Sequence, residues 1–223
     1  MKERRDPEGR MPYRLYYKEA EIDAIMEGEL RRSGIARIGD GAVDVDAFIE
    51  NYLHVTPEFV ALPAGVQGAT DFSPDGTVKM RVSAALAERA GRQEAGAEHF
   101  MRTTLAHESA HVLLHRVLFL RQSEALFGGR ASRQELCRDI DPAGRGYTGE
   151  WWEWQANRGM GALLLPRTEV ISIAGPWTAA ALRDGKLVQT IARRYQVSTK
   201  AVCFRLEQIK GSSPDPRQTA LAF

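Results

Sequence analysis

The 223-residue sequence predicts an α+β fold, mainly helical, with one small antiparallel sheet. Three observations carry that expectation. Apolar residues recur at three- and four-residue spacing through most of the chain, the longest such stretches lying at 98–121 and 150–166. Residues 55–82 break this rhythm and alternate around Ser73-Pro74-Asp75-Gly76, a hairpin signal. A composition of 43% hydrophobic and 26% charged residues supports one sizeable core plus a small appendage.

Each element follows in order. Residues 1–15 are charged, contain Pro7, Gly9 and Pro12, and read as a flexible arm. Residues 16–32 hold Ile22, Ile25, Met26 and Leu30 at helical spacing, and Ser33-Gly34 stops that helix. The next helix starts near Asp44 or Asp46, either of which can cap it, and buries Phe48, Ile49 and Leu53. Val55 and Phe59 to Pro63 look extended, and 65–72 and 77–82 make the hairpin arms. Residues 83–96 are rich in Ala, Glu and Arg, broken by Gly91 and Gly96. A long helix is expected from about Glu98 to Arg121.

Residues 122–149 hold few apolar side chains and many breakers, so they read as an insertion, either plain surface or a lid over a cleft. The segment Glu150 to Leu165 is helical and Pro166 ends it, with Ala156, Gly159 and Gly161 small enough to let another backbone come close. Short helices follow at 168–175 and 177–182. Residues 188–206 have helix–turn–helix rhythm with Ser198 capping the second helix, and 211–223 form a tail. The organisation expected is therefore an arm at 1–15, a main domain at 16–182 and a helical segment with tail at 183–223.

Charge and cysteine content narrow the function. The net charge of +1 demands neither nucleic acid nor membrane. It is uneven, net +5 over residues 183–223 and −4 before them, which keeps DNA contact in view. A helical pair packed on the main domain is favoured over a DNA reader, because one short pair makes a poor stand-alone reader. No apolar run reaches 18 residues, and the N-terminus lacks the apolar core of a signal peptide. Cys137 and Cys203 cannot make a disulfide framework, so a cytoplasmic location is expected.

The chemistry concentrates in Thr103-Thr104-Leu105-Ala106-His107-Glu108-Ser109-Ala110-His111-Val112-Leu113-Leu114-His115. On a helix, His107 and His111 lie on one face a turn apart and can aim two imidazoles at one point, a pairing that suits Zn²⁺. Glu108 lies about 100° round the helix, placed to reach a water rather than to coordinate, as a general base must. His115 sits about 12 Å from His107 along the axis and reads as a supporting histidine, not a ligand. Two histidines leave a catalytic zinc one protein ligand short. Glu153 on the later helix is the choice, with Glu150 at the loop edge as its rival. Asn157, one turn on from Glu153, is placed to orient a ligating imidazole.

Arg102-Thr103-Thr104-Leu105-Ala106-His107-Glu108-x-x-His111-x-Leu113-Leu114-His115, with Glu153-x-x-Ala156-Asn157 and Leu163-Leu164-x-Pro166, resembles the ImmA/IrrE family of bacterial metallopeptidases. The likeness covers roughly residues 18–210. Ser109-Ala110, Gln155, Gly159-Met160 and Leu165 depart from its usual residues without touching a ligand or the base. The resemblance implies a zincin-like metallopeptidase domain. It also implies Zn²⁺ as cofactor, Glu153 as third ligand, and a protein substrate, typically a helix–turn–helix repressor of a mobile element or stress response. The competing expectation is a non-catalytic zinc protein that binds a repressor or DNA. Glu108 argues mildly against it, since a purely structural site needs no base.

Overall fold

The computed structural model describes residues 2–5, 13–73, 75–125, 134–139, 151–175 and 183–211. Strands β1 (Lys2–Arg5) and β2 (Tyr13–Tyr16) pair antiparallel, so part of the expected arm is a ribbon. Helix α1 spans Glu19–Ser33. It starts where the Glu21 carboxylate accepts the Lys18 backbone N–H at 2.7 Å, and ends on Gly34 in the left-handed conformation, φ 62°. Ile22, Met26 and Leu30 are its buried stripe, as their four-residue spacing requires. The two-residue strands β3 (Arg37–Ile38) and β4 (Ala42–Val43) follow. Asp44, one of the two expected caps, accepts the Ala47 N–H at 2.9 Å at the start of α2 (Val45–Ala47), which continues as a π-helical turn, Phe48–Leu53.

The main sheet has four strands: β5 (Glu58–Val60), β6 (Val66–Phe72), β7 (Val78–Ser83) and β8 (Gln134–Asp139), in the order β5-β7-β6-β8. The expected hairpin is β6–β7, antiparallel with Thr70 opposite Met80. Two features differ from expectation. The sheet is mixed, because β5 pairs parallel to β7. The 122–149 insertion contributes β8, antiparallel to β6 with Thr70 opposite Leu136. Period alone could not reveal either pairing, since partner choice depends on contacts distant in sequence. Six of the seven β6 residues are buried, as befits a strand flanked on both sides.

Ser83 caps α3 (Ala84–Gly91) by accepting the Leu86 N–H. Helix α4 (Ala97–Ala125) lies against β6 and β7 and packs on α5 (Trp151–Leu164). Beyond Pro166 come α6 (Arg167–Ala174), α7 (Gly185–Tyr195) and α8 (Thr199–Gly211). Ser198 caps α8 through the Ala201 N–H at 3.1 Å. Residues 177–182, Gly128-Gly129, Tyr147, Glu150 and the 212–223 tail lie outside the described residues.

The helix pair α7–α8 is part of the main core. Val188, Ile191, Tyr195, Val202, Leu206 and Ile209 join Phe48, Met80, Leu105 and Leu163 in one apolar cluster. A buried ion network pins it. Asp23 of α1 accepts from Arg158 of α5 and from Arg205 of α8, both at 2.9 Å, and Arg205 also donates to the Leu165 carbonyl.

Candidate metal centre

Helix α4 presents His107 and His111 on one face, fully buried, with their Nε2 atoms 3.0 Å apart. Helix α5 brings Glu153 to the same point. Its Oε2 lies 3.1 Å from His107 Nε2 and its Oε1 3.2 Å from His111 Nε2. Small residues make this approach possible. Ala110 and Ala156 are both fully buried, and a Cβ added to Gly159 would sit 2.8 Å from the Ala110 Cβ. Of the three small residues expected to permit close packing, Gly161 serves another contact, with Arg205 and Gln208 of α8.

The three donors fit a metal ion. Two donors on a tetrahedral zinc with bonds of about 2.0–2.1 Å sit about 3.3 Å apart. The observed 3.0–3.2 Å separations need to open by only a few tenths of an ångström. Burial alone would raise the Glu153 carboxyl pKa, but the facing imidazoles of His111 and His107 reverse this and hold it well below the usual carboxylate range. Its Oε1 is buried and accepts no hydrogen bond, an acceptor left for another partner. His107, His111 and Glu153 are the one such cluster found among the described residues.

Glu108 is fully buried and turned toward β6. Its Oε2 accepts from the Thr70 hydroxyl at 2.7 Å. A Cβ on Gly68 would sit 2.5 Å from Glu108 Oε1 and 2.8 Å from Thr104 Cγ2, so the strand can pass this carboxylate only because residue 68 is glycine. Sequence reasoning missed both Gly68 and Thr70. Their signal was faint, a glycine and a hydroxyl two residues apart within a strand pattern.

Behind the ligands runs a second line of contacts. His111 Nδ1 faces His115 Nδ1 at 3.0 Å, His115 Nε2 lies 3.0 Å from Gln155 Oε1, and Gln155 Nε2 donates to the Leu15 carbonyl at 2.6 Å. Burial, with the neighbouring His111 adding to it, pushes the His115 pKa down to about 3, so this imidazole is neutral. The supporting role expected of His115 is where the structure places it. Asn157 is half-buried and, among the described residues, makes no hydrogen bond to either imidazole. Gln155, two residues beyond Glu153, is the α5 side chain that reaches this line of contacts, at His115. His99 lies two turns before His107 on α4, about 12 Å away along the axis. Only the backbone of Cys137 is described, within β8, and Cys203 is a half-buried free thiol on α8.

Residues 97–207, about half of the chain, match the family model of the IrrE N-terminal-like domain, a peptidase family. The chain carries a domain of this family. The IrrE-like domain runs from the start of α4 into α8, so it contains His107, Glu108, His111 and Glu153 together with the C-terminal helix pair. Strand β6, which supplies both Gly68 and Thr70, precedes the matched region, as does β7. Comparison with curated proteins and with solved structures gives no match. No helix among the described residues is long and apolar enough to cross a membrane. The mainly helical α+β fold and the three-donor centre accord with a metallopeptidase of this family.

Proposed function

We propose that this protein is a cytoplasmic zinc endopeptidase that hydrolyses a peptide bond in a protein substrate, a helix–turn–helix transcriptional repressor. The observation that carries the reading is the convergence of His107, His111 and Glu153 on one point, with Glu108 as the next residue of the same helix. His107, His111 and Glu153 would hold the ion. When bound, zinc supplies Lewis acidity, polarising a carbonyl and lowering the pKa of water toward 7.

The remaining chemistry belongs to the chain. Glu108 takes the proton from the attacking water and returns it to the leaving amine. Thr70 donates to one oxygen of the Glu108 carboxylate and so fixes its orientation. The neutral His115 adds no charge to the site. The repressor is proposed from the family resemblance, and the cytoplasm from the scarcity of cysteine.

The test incubates the zinc-loaded chain with candidate helix–turn–helix repressors of the same organism and reads the products by mass spectrometry. Glu108→Gln serves as the control. One defined cleavage, lost in Glu108→Gln, is the expected result. Stable complex formation without cleavage by either protein would replace this reading with the non-catalytic one.

A further inference from the structure

The contacts behind His111 allow its proton to be placed, because each partner constrains the next. The Leu15 carbonyl can only accept, so the Gln155 group 2.6 Å from it is the amide NH₂. The Gln155 carbonyl oxygen then faces His115 Nε2 at 3.0 Å, and that nitrogen must carry a hydrogen. His115 is fully buried, and no carboxylate is among its hydrogen-bond partners. A neutral imidazole has one N–H, so His115 Nδ1 is an acceptor. Facing it at 3.0 Å, His111 Nδ1 is the donor. With Nδ1 engaged by His115, Nε2 is the His111 nitrogen left to ligate an ion, and it is the atom that meets His107 and Glu153.

We propose that the Leu15 carbonyl, Gln155 and His115 form a positioning relay that sets the tautomer of His111 and presents its Nε2 lone pair to the metal. The relay rests on the metal-centre reading above, but its chain of contacts is built by the fold itself. It differs from the usual arrangement, in which a ligating histidine donates directly to a carboxylate, carbonyl or water. It also ties the centre to the N-terminal ribbon, since Leu15 lies on β2. All three residues are buried behind His111, so their effect is on ligand geometry and metal affinity.

The test uses the full chain labelled with ¹⁵N-histidine. Long-range ¹H–¹⁵N correlation of the metal-free protein reports which ring nitrogen carries each proton. The expected pattern is Nε2–H for His115 and Nδ1–H for His111. Zinc affinity, by chelator competition, is then compared for His115→Leu and His115→Asn. Leucine removes the acceptor, and affinity falls about 10–100-fold. Asparagine places an amide oxygen near the lost Nδ1 and restores most of it. Gln155→Leu provides a second break in the relay, should His115→Leu fail to fold. An Nε2–H tautomer at His111, equal affinities for the leucine and asparagine variants, or wild-type affinity in Gln155→Leu would overturn the relay. A wild-type chain that binds no zinc, yet shows the expected tautomers, would instead sink the metallopeptidase reading.

Discussion

Glu108 occupies a space cut to the size of its carboxylate, between Thr70 and the bare backbone of Gly68. Two predictions belong to this residue pair. Under the proposed mechanism, Glu108→Gln removes the base and keeps the shape, so activity falls about 10²–10⁴-fold while zinc content by elemental analysis is unchanged. Gly68→Ala adds a methyl 2.5 Å from Glu108 Oε1, displacing the base. Its expected cost is about 1–3 kcal/mol of stability with a marked loss of activity, measured by denaturant unfolding and turnover on the same preparation. A third prediction concerns pH. His115 titrates at about 3 in the folded chain against 6.5 when unfolded, so between those values the unfolded chain binds more protons. Stability of the metal-free protein is then intact above pH 6.5 and falls as pH drops, by about 1.4 kcal/mol per pH unit from this group alone. The depressed Glu153 carboxyl works in the same direction, its contribution present above its unfolded value of 4.5 and lost as pH falls further. Urea unfolding at pH 7, 6 and 5 checks the slope, and a flat profile would show that His115 is hydrated or paired in the folded chain.

At the scale of elements, the centre depends on how closely α5 approaches α4. Gly159 sets that distance at Ala110, one residue before His111. Gly159→Ala should wedge the helices apart, lower stability by about 1–3 kcal/mol and weaken zinc binding by drawing Glu153 from the imidazoles. Unfolding midpoints and zinc competition measure the two effects separately, and unchanged affinity would mean that helix spacing does not govern the third ligand. What was legible in the sequence follows from the same local logic. His107, Glu108 and His111 stand out because helical period alone places them, and Glu153 because a second helix had to complete the donor set. The Asp44 and Ser198 caps and the Gly34 stop are equally local signals. Hidden were the contacts that only tertiary packing creates. Gln155 rather than Asn157 faces His115, Gly68 is spaced to Glu108 across a strand–helix interface, β5 runs parallel to β7, and β8 closes on β6. In each, the partner lies tens of residues away, beyond the reach of period and propensity.

For the molecule as a whole, the question is whether the basic helix pair is an appendage or part of the enzyme. Lys186, Arg193, Arg194 and Lys200 are exposed, which is the charge pattern behind the DNA expectation. The opposite face settles the packing. Ile191, Tyr195 and Leu206 are essentially inaccessible within the main apolar cluster, and Arg205 is buried against Asp23 and the Leu165 carbonyl. The matched family region runs through this pair to residue 207, and the apolar cluster holds residues from both sides of position 183. Breaking the network from the far side, Asp23→Ala removes the carboxylate that two buried guanidinium groups share, leaving Arg158 with Glu19 and Arg205 with the Leu165 carbonyl, and should cost about 3–5 kcal/mol. Replacing Asp23 and both arginines with apolar residues of similar volume should cost far less, because no buried charge is then left uncompensated. A chain ended at Ala174 should lose more than any single substitution. It uncovers Leu163, Leu164, Leu165 and Val170 together, at roughly 1.5–3 kcal/mol for each fully buried side chain. That sum approaches the whole stability of a typical domain, about 5–15 kcal/mol, so the truncated chain should show no cooperative melt and should not be rescued by zinc. A sharp calorimetric transition in the truncated chain, raised by zinc as in the full one, would instead make the helix pair an independent module and reopen its exposed basic face as a binding surface in its own right.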